Sequence, residues 1–308
     1  MRKIPLILLV LFGCKQPAPP DITEQYVTKI ISTLASDEMR GRLASSPEDI
    51  KRAGDFIASQ FREIGLDQYD SLTDYRQPFD GQNNIVGVIK GKSKPNEFVI
   101  FSAHYDHIGI RTPVAGDSIA NGADDDASGC TAVIALAKHF KALDDNARTL
   151  IFVTFTAEEV GGAGSKYFSE HIDPAKVMAM FNIEMIGKPS KWGQNSAFIT
   201  GFDRSDFGAI LQKNVQGTEF KFMPDPYIEQ QLFYRSDNAR LALLGVPAHS
   251  ISTDQIDTDQ LYHSVDDEVS TLDIKNIVAA IKAIAVGSRT IVSGKDTPTR
   301  IKPAGDLK

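Results

Sequence analysis

Apolar positions change their period along this chain. Val27, Ile30, Ile31 and Leu34 recur at helical spacing, which predicts a first helix ending near Ala35 with Asp21 and Glu24 as a capping pair. A second helix is marked by Ser46 as cap, Pro47 in its first turn, an apolar face of Ile50, Phe56, Ile57, Phe61 and Ile64, and Gly65 at its end. Beyond it, β-like runs at 84–89, 98–103, 149–155, 177–183, 197–200 and 246–251 alternate with helical stretches at 127–142 and 272–286. That order predicts a three-layer α/β/α sandwich around a central mixed, mainly parallel sheet. Periodicity does not fix the strand order. No repeat is visible, and the stretch between Gly65 and Ser102 is too short for an inserted domain, so 21–308 reads as a single domain.

With 308 residues, 42% of them hydrophobic, the chain can bury one large core. A net charge of −7 and the absence of any dense Lys/Arg stripe argue against nucleic acid as a partner. Met1, Arg2 and Lys3 precede an apolar run from Ile4 to Phe12 and then Gly13 and Cys14, the layout of an export signal too short to span a bilayer. Leu11, Phe12, Gly13 and Cys14 resemble a bacterial lipobox. This implies that 1–13 is a lipoprotein signal, that Cys14 carries the lipid, and that 14–20, rich in proline, is a tether. The expected location is the bacterial cell envelope, with membrane contact through the lipid anchor only. Cys130 then has no partner cysteine and reads as a small buried apolar residue.

Groups able to bind metal fall where the strands are expected to end, which is where open α/β sheets place their sites. His104 follows the run at 98–103, with Asp106 placed to hold its second ring nitrogen. Asp124, Asp125 and Asp126 open the helix at 127–142; three adjacent carboxylates repel one another unless a cation or the helix end compensates them, and a capping turn is the alternative. Glu158 and Glu159 leave the apolar strand at 149–155, where one carboxylate can bind metal while the other works as a base. Glu184 follows 177–183, and Tyr262 and His263 come later.

Taken together, and joined by residues 34–42, 235–237 and 245–247, these segments resemble the co-catalytic zinc aminopeptidases of the bacterial leucyl aminopeptidase type. The wider family includes glutamate carboxypeptidases and glutaminyl cyclases. The resemblance implies two zinc ions, one held by His104 and Glu184, the other by Glu159 and His263, with Asp125 as the bridge. It makes Glu158 the general base and Tyr262 the donor to the tetrahedral oxyanion. Glu184 stands where many members have Asp, Asp124 where Asn is frequent, and Asn238 where His is common. His107 is expected behind the ligands, and His139, His171 and His249 as structural or surface groups.

The function so implied is an exopeptidase acting on peptides, an aminopeptidase before a carboxypeptidase or dipeptidase. A glutaminyl cyclase would use one zinc and tryptophans around its substrate, whereas this chain has only Trp192. A non-catalytic binding protein is disfavoured by the complete ligand set. Neither side-chain preference nor oligomeric state follows from the sequence.

Overall fold

In the computed structural model, residues 21–302 are described; the signal, Cys14 and tether expectations lie outside them. The strands are β1 (Asp67–Gln68), β2 (Arg76–Phe79), β3 (Gln82–Ile89), β4 (Lys94–His104), β5 (Ile110–Val114), β6 (Asp117–Ile119), β7 (Arg148–Phe155), β8 (Val177–Ile183), β9 (Ser196–Ile199), β10 (Lys221–Pro224) and β11 (Ala248–Ser252). The helices are α1 (Glu24–Leu34), α2 (Pro47–Ile64), α3 (Gly129–Leu143), α4 (Ala163–Glu170), α5 (Phe207–Asn214), α6 (Asn238–Leu243) and α7 (Ile274–Val292). Nine strands form one sheet in the order β1-β3-β7-β4-β8-β11-β9-β10, with β2 also paired to β3; β5 and β6 form a separate hairpin. The central strands β7, β4, β8 and β11 run parallel, while β3 joins β7 and β9 joins β11 antiparallel. The sheet is therefore mixed and mainly parallel at its centre.

The central strands are apolar on both faces because both faces are covered. Val99, Phe101 and Ala103 of β4 and Leu150 and Phe152 of β7 pack with α1, α2, α3 and α7. The alternate residues Ile100, Ile151 and Val153 pack on the other side with Phe168 of α4 and Leu241 of α6. This is the period-two alternation of a strand split between two layers. Phe101 anchors the first layer, its ring stacked at 4.9 to 5.5 Å from Phe140, Phe152 and Phe181.

Two local expectations are corrected. Thr23, not an Asp21–Glu24 pair, caps α1: its backbone is extended and its Oγ1 accepts from the Tyr26 N–H, while Asp21 faces Lys282. Helix α7 runs past Val286 to Val292, because Gly287 does not stop it. A Cβ at Gly287 would sit 3.2 Å from Leu211 Cγ, so its bare backbone lets α7 lie close against α5.

Candidate metal centre

His104 is the last residue of β4, Glu184 follows the last residue of β8, and Glu158 and Glu159 lie just past the end of β7. These three parallel strands are adjacent, so their side chains open at one edge of the sheet. Asp125 sits in the turn leading into α3, and His263 in the loop between β11 and α7.

The five expected ligands converge. His104 Nε2 lies 3.1 Å from Glu184 Oε1 and 3.2 Å from Asp125 Oδ1. His263 Nε2 lies 3.0 Å from Glu159 Oε2 and 3.2 Å from Asp125 Oδ2. The two oxygens of Asp125 are thus divided between two donor groups. Glu158 belongs to neither group; it lines an adjoining cleft with Gly161, Ser165, Ser236 and Asp237. Tyr262 lines a second cavity together with Glu184.

All three adjacent aspartates are buried, and each does something different. Asp125 faces the imidazoles. Asp124 Oδ1 accepts from the Gly187 N–H at 2.7 Å, and its Oδ2 lies 3.4 Å from Lys188 Nζ. Asp126 accepts N–H bonds from His104, Gly129 and Met185, tying the ends of β4 and β8 to the start of α3. Burial rules out a solvated turn, while Asp126 does cap the start of α3 through the Gly129 N–H.

Asp106 differs from its expected role. His104 Nδ1 lies 3.1 Å from the Asp106 backbone oxygen but 3.8 Å from its carboxylate. The carboxylate instead accepts the N–H groups of Glu158 and Glu159, so it fixes the turn that carries both glutamates. His107 touches the site directly: its Nδ1 is 3.0 Å from Glu159 Oε1, so the two oxygens of Glu159 are shared between His107 and His263. Glu184 Oε2 accepts from Ser236 Oγ at 2.5 Å and from Asn182 Nδ2, which hold the longer side chain in place.

Sequence reading missed two supports. Arg42 is fully buried and donates to the backbone oxygens of Leu34, Tyr105, Asn121, Gly122 and Asp125. Asp267 accepts the N–H groups of Asp124 and Asp125 and so fixes the bridging turn from its other side. Both lie beside motifs that sequence alone marks, but their partners are backbone groups, and nothing in residue type announces such a partner. Left-handed backbone at Ala157 (φ 62), Met185 (φ 48) and His263 (φ 56) marks the same loops. Strain of this kind persists only where surrounding contacts enforce it.

The charge balance calls for cations. Burial pushes Glu158 up to about 10, with His104 opposing and the nearby charges of Glu184, Asp237 and Asp125 adding to the rise. Hydrogen bonds to Asp125 and Glu159 push His263 up to about 10. Ligand atoms around a tetrahedral zinc with bonds of 2.0–2.2 Å lie about 3.3 Å apart. The separations of 3.0 to 3.2 Å within each group match that spacing, and mixed imidazole and carboxylate donors suit zinc.

Residues 84–287 match Peptidase family M28. The chain belongs to that family. Leucine aminopeptidase 1 of Trichophyton rubrum is 28% identical over 241 residues, covering 74% of this chain and 63% of that protein. The chain spans less than two thirds of the length of such curated relatives. A zinc aminopeptidase from Bacillus subtilis superposes with a TM-score of 0.71 at 15% identity, covering 96% of this chain and all (100%) of that one. A glutaminyl cyclase from Bacteroides thetaiotaomicron superposes with a TM-score of 0.66 at 15% identity, over 90% of this chain and 100% of that one. At such identities the likeness establishes the α/β/α fold of zinc exopeptidases.

Proposed function

We propose that this M28 protein is a zinc-dependent exopeptidase, and specifically an aminopeptidase, that hydrolyses terminal peptide bonds with two zinc ions per chain. The observation that carries the reading is the division of Asp125, whose oxygens each lie 3.2 Å from the Nε2 of a different histidine. His104 and Glu184 would hold one ion, Glu159 and His263 the other, with Asp125 shared. Bound zinc supplies Lewis acidity for the scissile carbonyl and lowers the pKa of water. Bound cations would offset the burial and neighbouring carboxylates that raise Glu158, leaving it ionised; free of both donor groups, it then takes the proton of the attacking water and returns it to the departing amine. Burial raises the Tyr262 phenol, with Asp125 and Glu159 adding to the rise, so it stays protonated and can donate to the oxyanion of the tetrahedral intermediate. Asp106 positions Glu158 through the backbone, and Ser236 and Asn182 position Glu184.

The complete second donor group favours a peptidase over a cyclase. Trp192 also speaks against the cyclase: it is 40% exposed and does not line the cavity beside Glu184. Purified protein saturated with zinc is expected to hold about two equivalents, to lose activity on aminoacyl anilides with strong chelators, and to regain it with added zinc. One tight equivalent together with rapid pyroglutamate formation from an N-terminal Gln peptide would replace this reading with the cyclase.

We also propose that the protein is an exported lipoprotein of the cell envelope, anchored through Cys14. The support is the sequence from Leu11 to Cys14. Among the described residues no helix is long and apolar enough to cross a membrane. Cys14→Ser is expected to abolish labelling by a radiolabelled fatty acid and to move the protein out of the membrane fraction. Unchanged sedimentation with membranes would refute the anchor.

A further inference from the structure

Two cavities meet at Arg235 and Ser236, which line both. The smaller, of about 540 Å³, is also lined by Glu184, Tyr262, Met185 and Phe198. The larger, of about 790 Å³, is also lined by Glu158, Gly161, Gly162, Arg240 and Leu243. Glu158 returns its proton to the departing amine, so the part of the peptide that leaves lies over Glu158, in the larger cleft.

That cleft carries two guanidinium groups without an acidic partner. Arg235 is exposed, and the one hydrogen bond of its guanidinium among the described residues goes to the Gln230 oxygen at 3.5 Å. Arg240 is half-buried and donates through Nη2 to the Gly161 oxygen at 2.9 Å, which holds it against the turn that follows Glu159. Neither forms a salt bridge among the described residues, whereas Arg40, Arg52, Arg62, Arg76, Arg148 and Arg289 all do. In a chain with 40 acidic residues against 33 basic ones, such a pair is out of keeping with the whole. The cleft's own acids leave them unanswered. Asp237 is only 2% exposed with both carboxylate oxygens enclosed, and Glu158 lies at the metal ligands, where His104 and Glu184 act on it. Beside Arg240 there is room, since a Cβ built on Gly161 would meet nothing within 4 Å. Arginine stays charged at any pH the protein meets, and its planar fork matches a carboxylate with paired N–H bonds. Two unpaired guanidinium groups on one cleft also concentrate anions there.

We infer that this cleft receives the peptide beyond the scissile bond, and that Arg235 and Arg240 make the enzyme prefer substrates carrying a carboxylate on that side. The carboxylate is either the free C-terminus of a short peptide or an acidic side chain. The inference rests on the aminopeptidase reading, which makes the segment over Glu158 the leaving one. Charge-assisted bonds at a partly exposed cleft support a preference of roughly 5- to 20-fold, weakening as salt is raised.

The experiment measures kcat/KM of the zinc-loaded enzyme in two arms, with leucine as the first residue throughout. One arm sets leucyl-alanine and leucyl-alanyl-alanine against their C-terminal amides, and the other sets leucyl-glutamyl-alanine amide against its glutaminyl counterpart. Arg240→Gln, which keeps a donor for the Gly161 oxygen, Arg235→Gln and the double variant run beside wild type, with folds checked by circular dichroism and Tm. Wild type is expected to favour the carboxylate in at least one arm, which names its source. Each single variant should reduce that ratio and the double should bring it to about one. Level rates in both arms for wild type would overturn the inference and leave the aminopeptidase intact. A preference that survives in the double variant would overturn the role of the arginines. Were the double variant not to fold, an unchanged ratio in both single variants would do the same. If wild type hydrolysed none of these peptides, the aminopeptidase reading would fall, and calorimetry with the same peptides on that protein would decide the cleft by itself: tighter binding of the carboxylate forms keeps the inference, equal binding removes it.

Discussion

Glu158→Gln is expected to keep zinc near the wild-type content and to lower kcat on an aminoacyl anilide by about 10²- to 10⁴-fold, the scale of general-base catalysis. The amide keeps the size and hydrogen-bonding reach of glutamate but cannot accept a proton. Its metal content should hold because Glu158 lies outside both donor groups and lines the open cleft instead. Glu159→Gln is expected to behave differently, losing metal and activity together, since Glu159 Oε2 sits 3.0 Å from His263 Nε2 and its Oε1 the same distance from His107 Nδ1. Metal analysis and steady-state kinetics on the two variants separate the roles. If both kept zinc and hydrolysed the anilide at the wild-type rate, the mechanism would be wrong. If Glu158→Gln alone lost zinc, the two roles would be exchanged.

The pair also shows what the sequence makes legible. Adjacent glutamates leaving a strand as apolar as 149–155 have few bland explanations, and the strand itself is plain because it is buried on both faces. The same reasoning finds β4 and β8, and with them His104 and Glu184 at their ends. Strand β2 and the β5–β6 hairpin escape it: both are short and interrupted by proline, β2 buries a glutamine beside Phe79 so that its alternation does not show in residue type, and β5 is exposed along its whole length. Among the three aspartates, residue type could not say which faces the metal. Burial decides that, since Asp124 is drawn to Lys188 and Asp126 to three backbone N–H groups, leaving Asp125 between the histidines. Asp106 was legible as a neighbour of His104 but not in its use, because a carboxylate two residues on can serve a ring nitrogen or a turn, and only the path of the chain after β7 selects the turn.

Arg42 is the largest such omission, and its removal is expected to cost more stability than any other single change described. Its guanidinium donates through Nε to Tyr105 O at 2.8 Å, through Nη1 to the oxygens of Leu34 and Asn121, and through Nη2 to Gly122 O at 2.9 Å and Asp125 O at 3.3 Å. These oxygens belong to the end of α1, the residue after His104 and the turn around Asp125, so one planar group joins the end of β4 to the bridging turn. Its position is set by Gly41, whose φ of +69° belongs to the left-handed region, and where a Cβ would meet Gly109 O at 2.6 Å. Arg42→Met keeps much of the stem's packing but strands several buried carbonyls, each worth about 1–3 kcal/mol when left unpaired and not additive as a set. A loss of about 3–5 kcal/mol is expected, read as a lower urea midpoint for the zinc-loaded protein. Zinc affinity should fall with it, because ordering the Asp125 turn becomes part of the cost of binding. Arg42→Lys should rescue little, since a single ammonium cannot reproduce a fork that reaches separate carbonyls. An Arg42→Met protein with the wild-type midpoint and zinc affinity would show that water replaces the guanidinium, and that the bridging turn is held by Asp267 and the metal alone.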